Sequence, residues 1–273
     1  MAQYSTFRQN HFGRRNKDLH EVVMLADKDG NLQNAGGAAS NIPIANGDLV
    51  GYTAVHKFGA LDGTVGTGWS TIWTAAETSG QQLYPWPVIG DASVVTVVSD
   101  SSSDTTNVTL EGLDANYAFQ SETLTLTGTV AVTGTKTFHR VNRAYMSGTA
   151  TNVGNIEVTN AGDVVITEIK AERGQTLQAI YTIPADCTGF LSTVQMTSSK
   201  NQAVEVGIFV RPFGGAFRVS GGVFLFQNDH TIEYASPIKI TEKSDIDIRA
   251  IGSSNGVISA SFDLLIVDNS VLT

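Results

Sequence analysis

The fold is constrained most strongly by a succession of short strand-like segments separated by tight turns. Residues 203–212, AVEVGIFVRP, alternate so that four residues point to one face: Val204, Val206, Ile208 and Val210. Asn255–Gly256 is a dipeptide that joins antiparallel strands in two-residue hairpins. No segment in the first half shows helical periodicity over more than two turns. Strands spaced about 8–12 residues apart predict antiparallel sandwiches, and glycine-rich corners favour a jelly-roll in the second half.

The composition agrees with β-sheets joined by turns. Only 16% of the residues are charged, and 27 are glycine. The net charge of -9 disfavours direct binding to nucleic acid. No apolar run approaches the ~18 residues of a membrane span, and the first residues lack the apolar core of a secretory signal. We therefore expect a chain that is made in the cytoplasm and does not enter a membrane.

These patterns predict an all-β protein with two antiparallel β-sandwich domains and an extended N-terminal arm. The arm is predicted over residues 1–50, since residues 35–48, AGGAASNIPIANGD, are small residues, glycine and proline. A β-sandwich domain is predicted over 51–165 and a jelly-roll-like one over 166–273.

The sequence contains no recognisable catalytic or cofactor motif. Its five histidines are isolated, so no zinc-ligand spacing is present. Cys187 is the single cysteine, and a half-buried packing role is favoured over a nucleophile. Neither a nucleophile elbow nor a phosphate-binding loop is present. We therefore predict a protein that is not an enzyme and that binds no cofactor or metal.

Two acidic residues in SDIDIRA allow a hydrolase hypothesis. Asp245 and Asp247 share one face of a strand, with Ile246 and Ile248 on the other. Paired carboxylates facing a cleft are the arrangement of glycosidases. The favoured interpretation is a solvent-facing pair on a strand whose other face is core.

Three tryptophans lie close together in the sequence, at Trp69, Trp73 and Trp86. Aromatic rings of this kind can stack on sugars. Tryptophans near prolines are more often buried plugs or oligomer contacts, and we favour that interpretation.

Basic residues within an acidic chain are candidates for protein contacts. In FHRVNRA, Arg140 and Arg143 point to opposite faces of a strand, which suits ion pairs with two neighbours better than one phosphate clamp. An ion pair within one chain is the equally supported alternative. The predicted interface residues are Arg8, Arg14, Arg15, Lys17, Arg140 and Arg143.

Several motifs resemble virion proteins of tailed bacteriophages that are common in marine phage genomes. They are GYTAVHKFG, LEGLDANYAFQSETLTLTGT and FHRVNRAYMSGTATNVGNIEV, followed by QTLQAIYTIPA at 175–185. The resemblance covers residues 51–273 and leaves the arm outside. None of the motifs is catalytic, so no functional residue is carried over from the family.

The resemblance implies a structural role in the particle, as capsid, capsid decoration (cement) or a head–tail component. The expected partners are other virion proteins, such as major capsid or tail proteins, and further copies of the chain. The alternative is a tail-associated module that binds a carbohydrate or receptor, with a host-surface glycan as partner. The expected location is the virion, assembled in the host cytoplasm.

Overall fold

The computed structural model describes residues 25–26, 32–33, 41–62, 68–78, 82–88, 90–252 and 256–272. Antiparallel sheets contain nearly all of the regular secondary structure in these ranges, which confirms the predicted all-β sandwich fold. The chain divides into two units, residues 1–53 and residues 54–273. Four predicted interface residues lie outside the described ranges: Arg8, Arg14, Arg15 and Lys17.

The first unit contains a short antiparallel ladder and one helical turn. Strand β1 (Leu25–Ala26) pairs with β2 (Leu32–Gln33) in an antiparallel ladder. Helix α1 (Asn41–Ala45) lies within the segment predicted to be extended. Pro43 is in its first turn, where no intrahelical amide donor is required.

After α1 the chain forms strands with two short helical turns. The elements are β3 (Tyr52–Asp62), β4 (Ser70–Thr71), α2 (Ala75–Thr78), β5 (Ser93–Ser99), β6 (Asn107–Leu113), β7 (Phe119–Thr125), β8 (Val132–Phe138), β9 (Arg140–Met146), β10 (Ile156–Thr159), β11 (Val165–Ile169), β12 (Ile180–Thr182), β13 (Cys187–Ser198), β14 (Val204–Arg211), β15 (Arg218–Leu225), β16 (Asp229–Ile240), β17 (Asp245–Ile251), β18 (Val257–Asp268) and a final 3-10 turn (Asn269–Val271).

Eight of these strands form a jelly-roll. One sheet has the order β16-β13-β18-β3, and the other has the order β12-β17-β14-β15, with β4 added beside β17. If the eight strands are counted along the chain, the first pairs with the eighth, the second with the seventh, the third with the sixth and the fourth with the fifth. That is the pairing of one long hairpin rolled into two sheets, which is the jelly-roll topology. The predicted jelly-roll is confirmed.

The jelly-roll core follows the alternation of its strands. On β18, Ile258, Ala260, Phe262, Leu264 and Ile266 are all buried, whereas the residues between them are less so. Burial of each large apolar side chain in this core contributes about 1.5–3 kcal/mol to the free energy of folding.

Strands β5 to β11 form a second sandwich, inserted between the first and second strands of the jelly-roll. Its sheets have the orders β11-β10-β5-β8 and β7-β6-β9, and they enclose a separate core. Leu61, Trp73 and Tyr84 pack in the jelly-roll core, although they belong to the segment predicted as domain 51–165. The cores therefore follow strand pairing and not the order of segments along the chain.

Polar groups join the two sandwiches. Gln178 Nε2 donates to Val141 O at 2.9 Å. Lys57, on β3 of the jelly-roll, donates from Nζ to Asn142 O on β9 of the inserted sandwich. Burial, with the nearby Arg143 charge adding to it, lowers the pKa of Lys57 from 10.5 to about 7.

Candidate functional site

Arg140 lies in a buried ion network where the two sandwiches meet. Its Nε donates to Asp245 Oδ1 at 3.2 Å, and its Nη1 donates to Pro87 O at 2.6 Å. Asp245 Oδ2 accepts two bonds from Arg211, from Nε at 2.8 Å and from Nη2 at 2.6 Å. Thr182 Oγ1 donates to Asp245 Oδ1 at 2.6 Å. One carboxylate therefore holds two arginines, and for Arg140 the ion pair within one chain is what the structure shows.

The backbone carbonyl of Arg140 lies directly against a glycine of the neighbouring strand. Gly112 on β6 faces β9 where the strand register shifts. A Cβ atom added at Gly112 would lie 1.9 Å from Arg140 O and 3.0 Å from Phe138 Cδ1. Only glycine permits this approach, which brings Arg140 to the boundary between the sandwiches.

Arg143 faces away from this network, as the strand alternation predicts. Its Nη2 donates to Gln175 Oε1 at 3.0 Å, and its guanidinium lies 4.5 Å from the Tyr145 ring centroid. The distance to Glu111 Oε2 is 3.9 Å, with both side chains partly exposed. Such an exposed pair contributes little to stability.

The two acidic residues of β17 are not on a solvent face. Asp247 is fully buried, and its Oδ2 accepts bonds from Trp86 Nε1 at 2.9 Å and Arg249 Nε at 2.8 Å. Burial raises the pKa of Asp247, and the Arg249 charge opposes that effect. The predicted solvent-facing pair is therefore wrong, because the segment that carries Trp86 covers this face of the sheet. Asp247 has no access to a substrate, so the two carboxylates do not form a glycosidase-like pair across a cleft.

Two of the three tryptophans are core residues, as favoured from the sequence. Trp73 and Trp86 are buried and both contact the Tyr84 ring edge-on, with centroids 5.4 and 4.7 Å away. Trp69 is partly exposed and lies against Phe209, with ring centroids 4.9 Å apart. A sugar could not stack on Trp73 or Trp86 without unfolding this layer.

Three turns meet above the ion network and form an open cleft of about 350 Å³. They are the β6–β7, β14–β15 and β16–β17 turns. Three residues in them adopt left-handed backbone, namely Tyr117 (φ 64°), Gly214 (φ 70°) and Lys243 (φ 58°). The charged and aromatic side chains that line the cleft are Tyr117, Arg140, Arg211, Phe213, Lys243 and Asp245.

The wall of the cleft is electropositive. Burial, with the Arg140 charge adding to it, lowers the pKa of His139 to about 4, so this ring is neutral at pH 7. His139 Nε2 lies 3.0 Å from Tyr117 Oη, and burial raises the pKa of that phenol. The charges at the cleft are therefore those of the arginines, the lysine and one aspartate.

A second surface feature is an apolar strip on the outermost strand of a jelly-roll sheet and on the residue that follows this strand. Val219, Phe224 and Phe226 are 59%, 72% and 57% exposed, and we call them the β15 strip. Among the described strands β15 is terminal in its sheet, with β14 as its neighbour. An exposed apolar edge is a ready surface for strand pairing or packing with another chain.

Other candidate chemistry is limited in the part of the chain that the structure describes. There, no three His, Cys, Asp or Glu side chains come together as a metal-binding group. None of the helices described has both the length and the apolar character needed to span a membrane. Cys187 is half-buried, in agreement with the packing role favoured from the sequence.

No protein-family model and no curated protein matches this sequence. Among solved structures, the family 32 carbohydrate-binding module of C. perfringens NanJ, in complex with galactose, is 14% identical, covers 61% of this chain and 98% of its own, and has a TM-score of 0.21. The infectious bursal disease virus VP2 subviral particle is 12% identical, covers 80% and 73%, and has a TM-score of 0.21. The PBSX exported protein XepA is 10% identical, covers 92% and 100%, and has a TM-score of 0.19. At these TM-scores the three structures assign neither a family nor a function to this chain.

Sequence reasoning missed the partners of Arg140 and the exposed β15 strip. Asp245 lies 105 positions from Arg140, and no local pattern connects them. For the strip a signal was present, because Phe224-Leu225-Phe226 places apolar residues on both faces of one strand.

Proposed function

We propose that this chain is a non-enzymatic structural protein of a bacteriophage particle, held in the virion by contacts with other virion proteins and with copies of itself. Its place is the capsid, a capsid decoration or a head–tail component. The motif resemblance supports the phage assignment, and β-sandwiches that tile symmetric assemblies support the structural role. Burial of Asp247 removes the carboxylate pair on which the hydrolase hypothesis rested.

The observation that carries the assembly proposal is the β15 strip. Three large apolar side chains are more than half exposed along one sheet edge, next to backbone groups on the outer side of a terminal strand. Complete burial of one such side chain by a partner contributes about 1.5–3 kcal/mol to the free energy of association. Covering this strip with a second surface removes apolar area from water and so favours association.

The strip is self-complementary, which favours a second copy as the occupant. In the register between β14 and β15, Phe224 lies opposite Glu205, and Val219 lies opposite Phe209. Glu205 and Phe209 are four positions apart on β14, so they point to the same face of the sheet. Their partners Phe224 and Val219 therefore point to that face as well. Phe224 and Val219 are five positions apart and would point to opposite faces of a regular strand. An irregularity in β15 between the two pairs adds one residue and brings them to the same face. Two β15 edges can pair antiparallel about Gly222. If the extra residue at the irregularity is left out of the count, Val219 of each copy then lies opposite Phe224 of the other. A two-fold axis generates both contacts at once.

Light scattering on the purified chain tests this assembly. For the wild type we expect a mass at least twice the 29.0 kDa of one chain. For Phe224→Glu we expect a shift towards the mass of a single chain. The matched control is Phe119→Glu, since Phe119 is 64% exposed on β7 of the inserted sandwich. A monomeric wild type, or a Phe224→Glu variant with unchanged mass, would refute assembly through the strip.

We also propose that the N-terminal basic residues Arg8, Arg14, Arg15 and Lys17 anchor the chain to an acidic patch on a neighbouring virion protein. Deleting residues 1–20 should abolish attachment to particles that lack the protein, without unfolding residues 54–273. Sedimentation of the particles measures attachment, and circular dichroism measures folding. Full attachment of the truncated chain would contradict the anchor.

The cleft favours a second candidate function, a tail-associated module that binds a carbohydrate or receptor. It combines charged groups with the partly exposed Phe213 ring at the boundary of two rigid sandwiches. Binding of any glycan that is lost in Phe213→Ala, with the fold intact, would support this candidate. A glycan screen without a ligand would refute it.

A further inference from the structure

The cleft between the sandwiches carries an excess of positive charge. Arg140, Arg211 and Lys243 line it, together with the single carboxylate of Asp245. Both arginines bond to that carboxylate, so these four side chains together carry two positive charges in excess. In a chain with a net charge of -9, a concave positive surface attracts anionic ligands.

Lys243 and Phe213 form the outer part of this surface. Lys243 Nζ lies 5.5 Å from the Phe213 ring centroid, and Phe213 is 50% exposed. The ring stands edge-on to Tyr117, with centroids 5.7 Å apart at 89°, so a neighbouring ring holds it in place. A flat apolar ring beside an ammonium group suits a ligand with an apolar face and an anionic substituent.

The size and charge of the cleft select among anions. A volume of about 350 Å³ is near the lower end of the ~300–1,000 Å³ of small-ligand pockets. Asp245 lies at the base of the cleft and repels a second negative charge, which disfavours phosphate esters relative to a single carboxylate. Arg211 is partly exposed, and guanidinium groups match carboxylate geometry.

We infer that the cleft binds a sugar that carries a carboxylate, such as a uronic acid of a surface glycan. The carboxylate lies between Lys243 and Arg211, and the C–H face of the sugar ring packs on Phe213. This inference rests on the second candidate function, glycan binding, and does not depend on assembly through the β15 strip.

Isothermal titration of the full chain with glucuronate, and with glucose as its neutral counterpart, tests the inference. Glucuronate should bind at least about tenfold more tightly than glucose, since the ion pair is a charge-assisted contact. Lys243→Gln should weaken glucuronate binding about tenfold. The control Lys239→Gln removes the same charge from an exposed position on β16 and should leave binding unchanged.

Three outcomes would overturn the inference in different ways. If glucose and glucuronate bind equally well, and both lose binding in Phe213→Ala, the carboxylate assignment fails while glycan binding stands. If inorganic sulfate displaces glucuronate with equal affinity, the cleft is a simple anion site. If no acidic or neutral sugar binds, the glycan-binding function fails together with the inference.

Discussion

Replacing Lys57 with methionine should change how the stability of this protein depends on pH. Lys57 is 7% exposed and lies between the jelly-roll and the inserted sandwich, with its Nζ on Asn142 O. Its pKa falls from 10.5 to about 7, mainly through burial. Each pKa unit corresponds to about 1.4 kcal/mol, so keeping the charged form in the folded state costs on the order of 5 kcal/mol.

The direction of the pH effect follows from which state binds the proton. Below pH 7 the folded and unfolded chains are both protonated at Lys57, and the whole cost applies. Between about pH 7 and the unfolded pKa of 10.5 the folded chain has released the proton while the unfolded chain keeps it. Stability therefore rises with pH across this window, by about 1.4 kcal/mol per unit, or about 2 kcal/mol from about pH 8 to about pH 9.5.

Lys57→Met removes both the cost and its pH dependence. At pH 7 the variant gains the free energy of unfolding that the charged lysine costs, on the order of 5 kcal/mol. It loses about 1–3 kcal/mol of this gain because Asn142 O no longer has a donor. The expected net stabilisation is about 2–4 kcal/mol. Urea unfolding of both proteins between about pH 6 and about pH 9.5 measures the two slopes. The exposed Lys239→Met should behave like the wild type. Identical slopes for Lys57→Met and wild type, or a less stable variant at pH 7, would refute a buried lysine of lowered pKa.

Three further results are expected. Asp245→Asn leaves Arg140 and Arg211 without their carboxylate, and thermal unfolding should show a loss of about 3–5 kcal/mol; a loss below about 1 kcal/mol would mean that water replaces the ion network. Gly112→Ala forces a Cβ to within 1.9 Å of Arg140 O, so urea unfolding should show destabilisation, whereas unchanged stability would mean that β9 shifts freely. Burial and the nearby Asp268 charge raise the pKa of Cys187, so its alkylation by iodoacetamide at pH 8 should be slower than that of free cysteine; equal rates would contradict its half-buried position.

The sequence was sufficient for the fold class and for much of the core. Strand alternation identified the inward residues of β14, and the single apolar face of β17 places Ile246 and Ile248 in the jelly-roll core. The jelly-roll itself was predictable because its strands are short, alternating and separated by glycine-rich corners. These are local properties of the chain.

Properties that depend on distant segments could not be predicted. The second face of β17 is buried because the segment that contains Trp86 crosses it, and strand alternation does not report which loop covers a sheet. The contact between Arg140 and Asp245 requires the insertion of one sandwich into the other. The cleft combines three turns that lie far apart in the sequence, so none of its residues forms a motif.

The inserted sandwich also sets the order in which the protein can form as it is synthesised. The first jelly-roll strand, β3, ends at Asp62, and its partner β18 begins at Val257, roughly 200 residues later. At about 5–20 residues per second the ribosome needs about 10–40 seconds to add them. The sandwich of β5 to β11 is complete long before that and can fold while β3 waits. The nascent chain therefore leaves the backbone groups of β3 without their partner strand during most of its synthesis, and in this period a chaperone or a neighbouring nascent chain can pair with them.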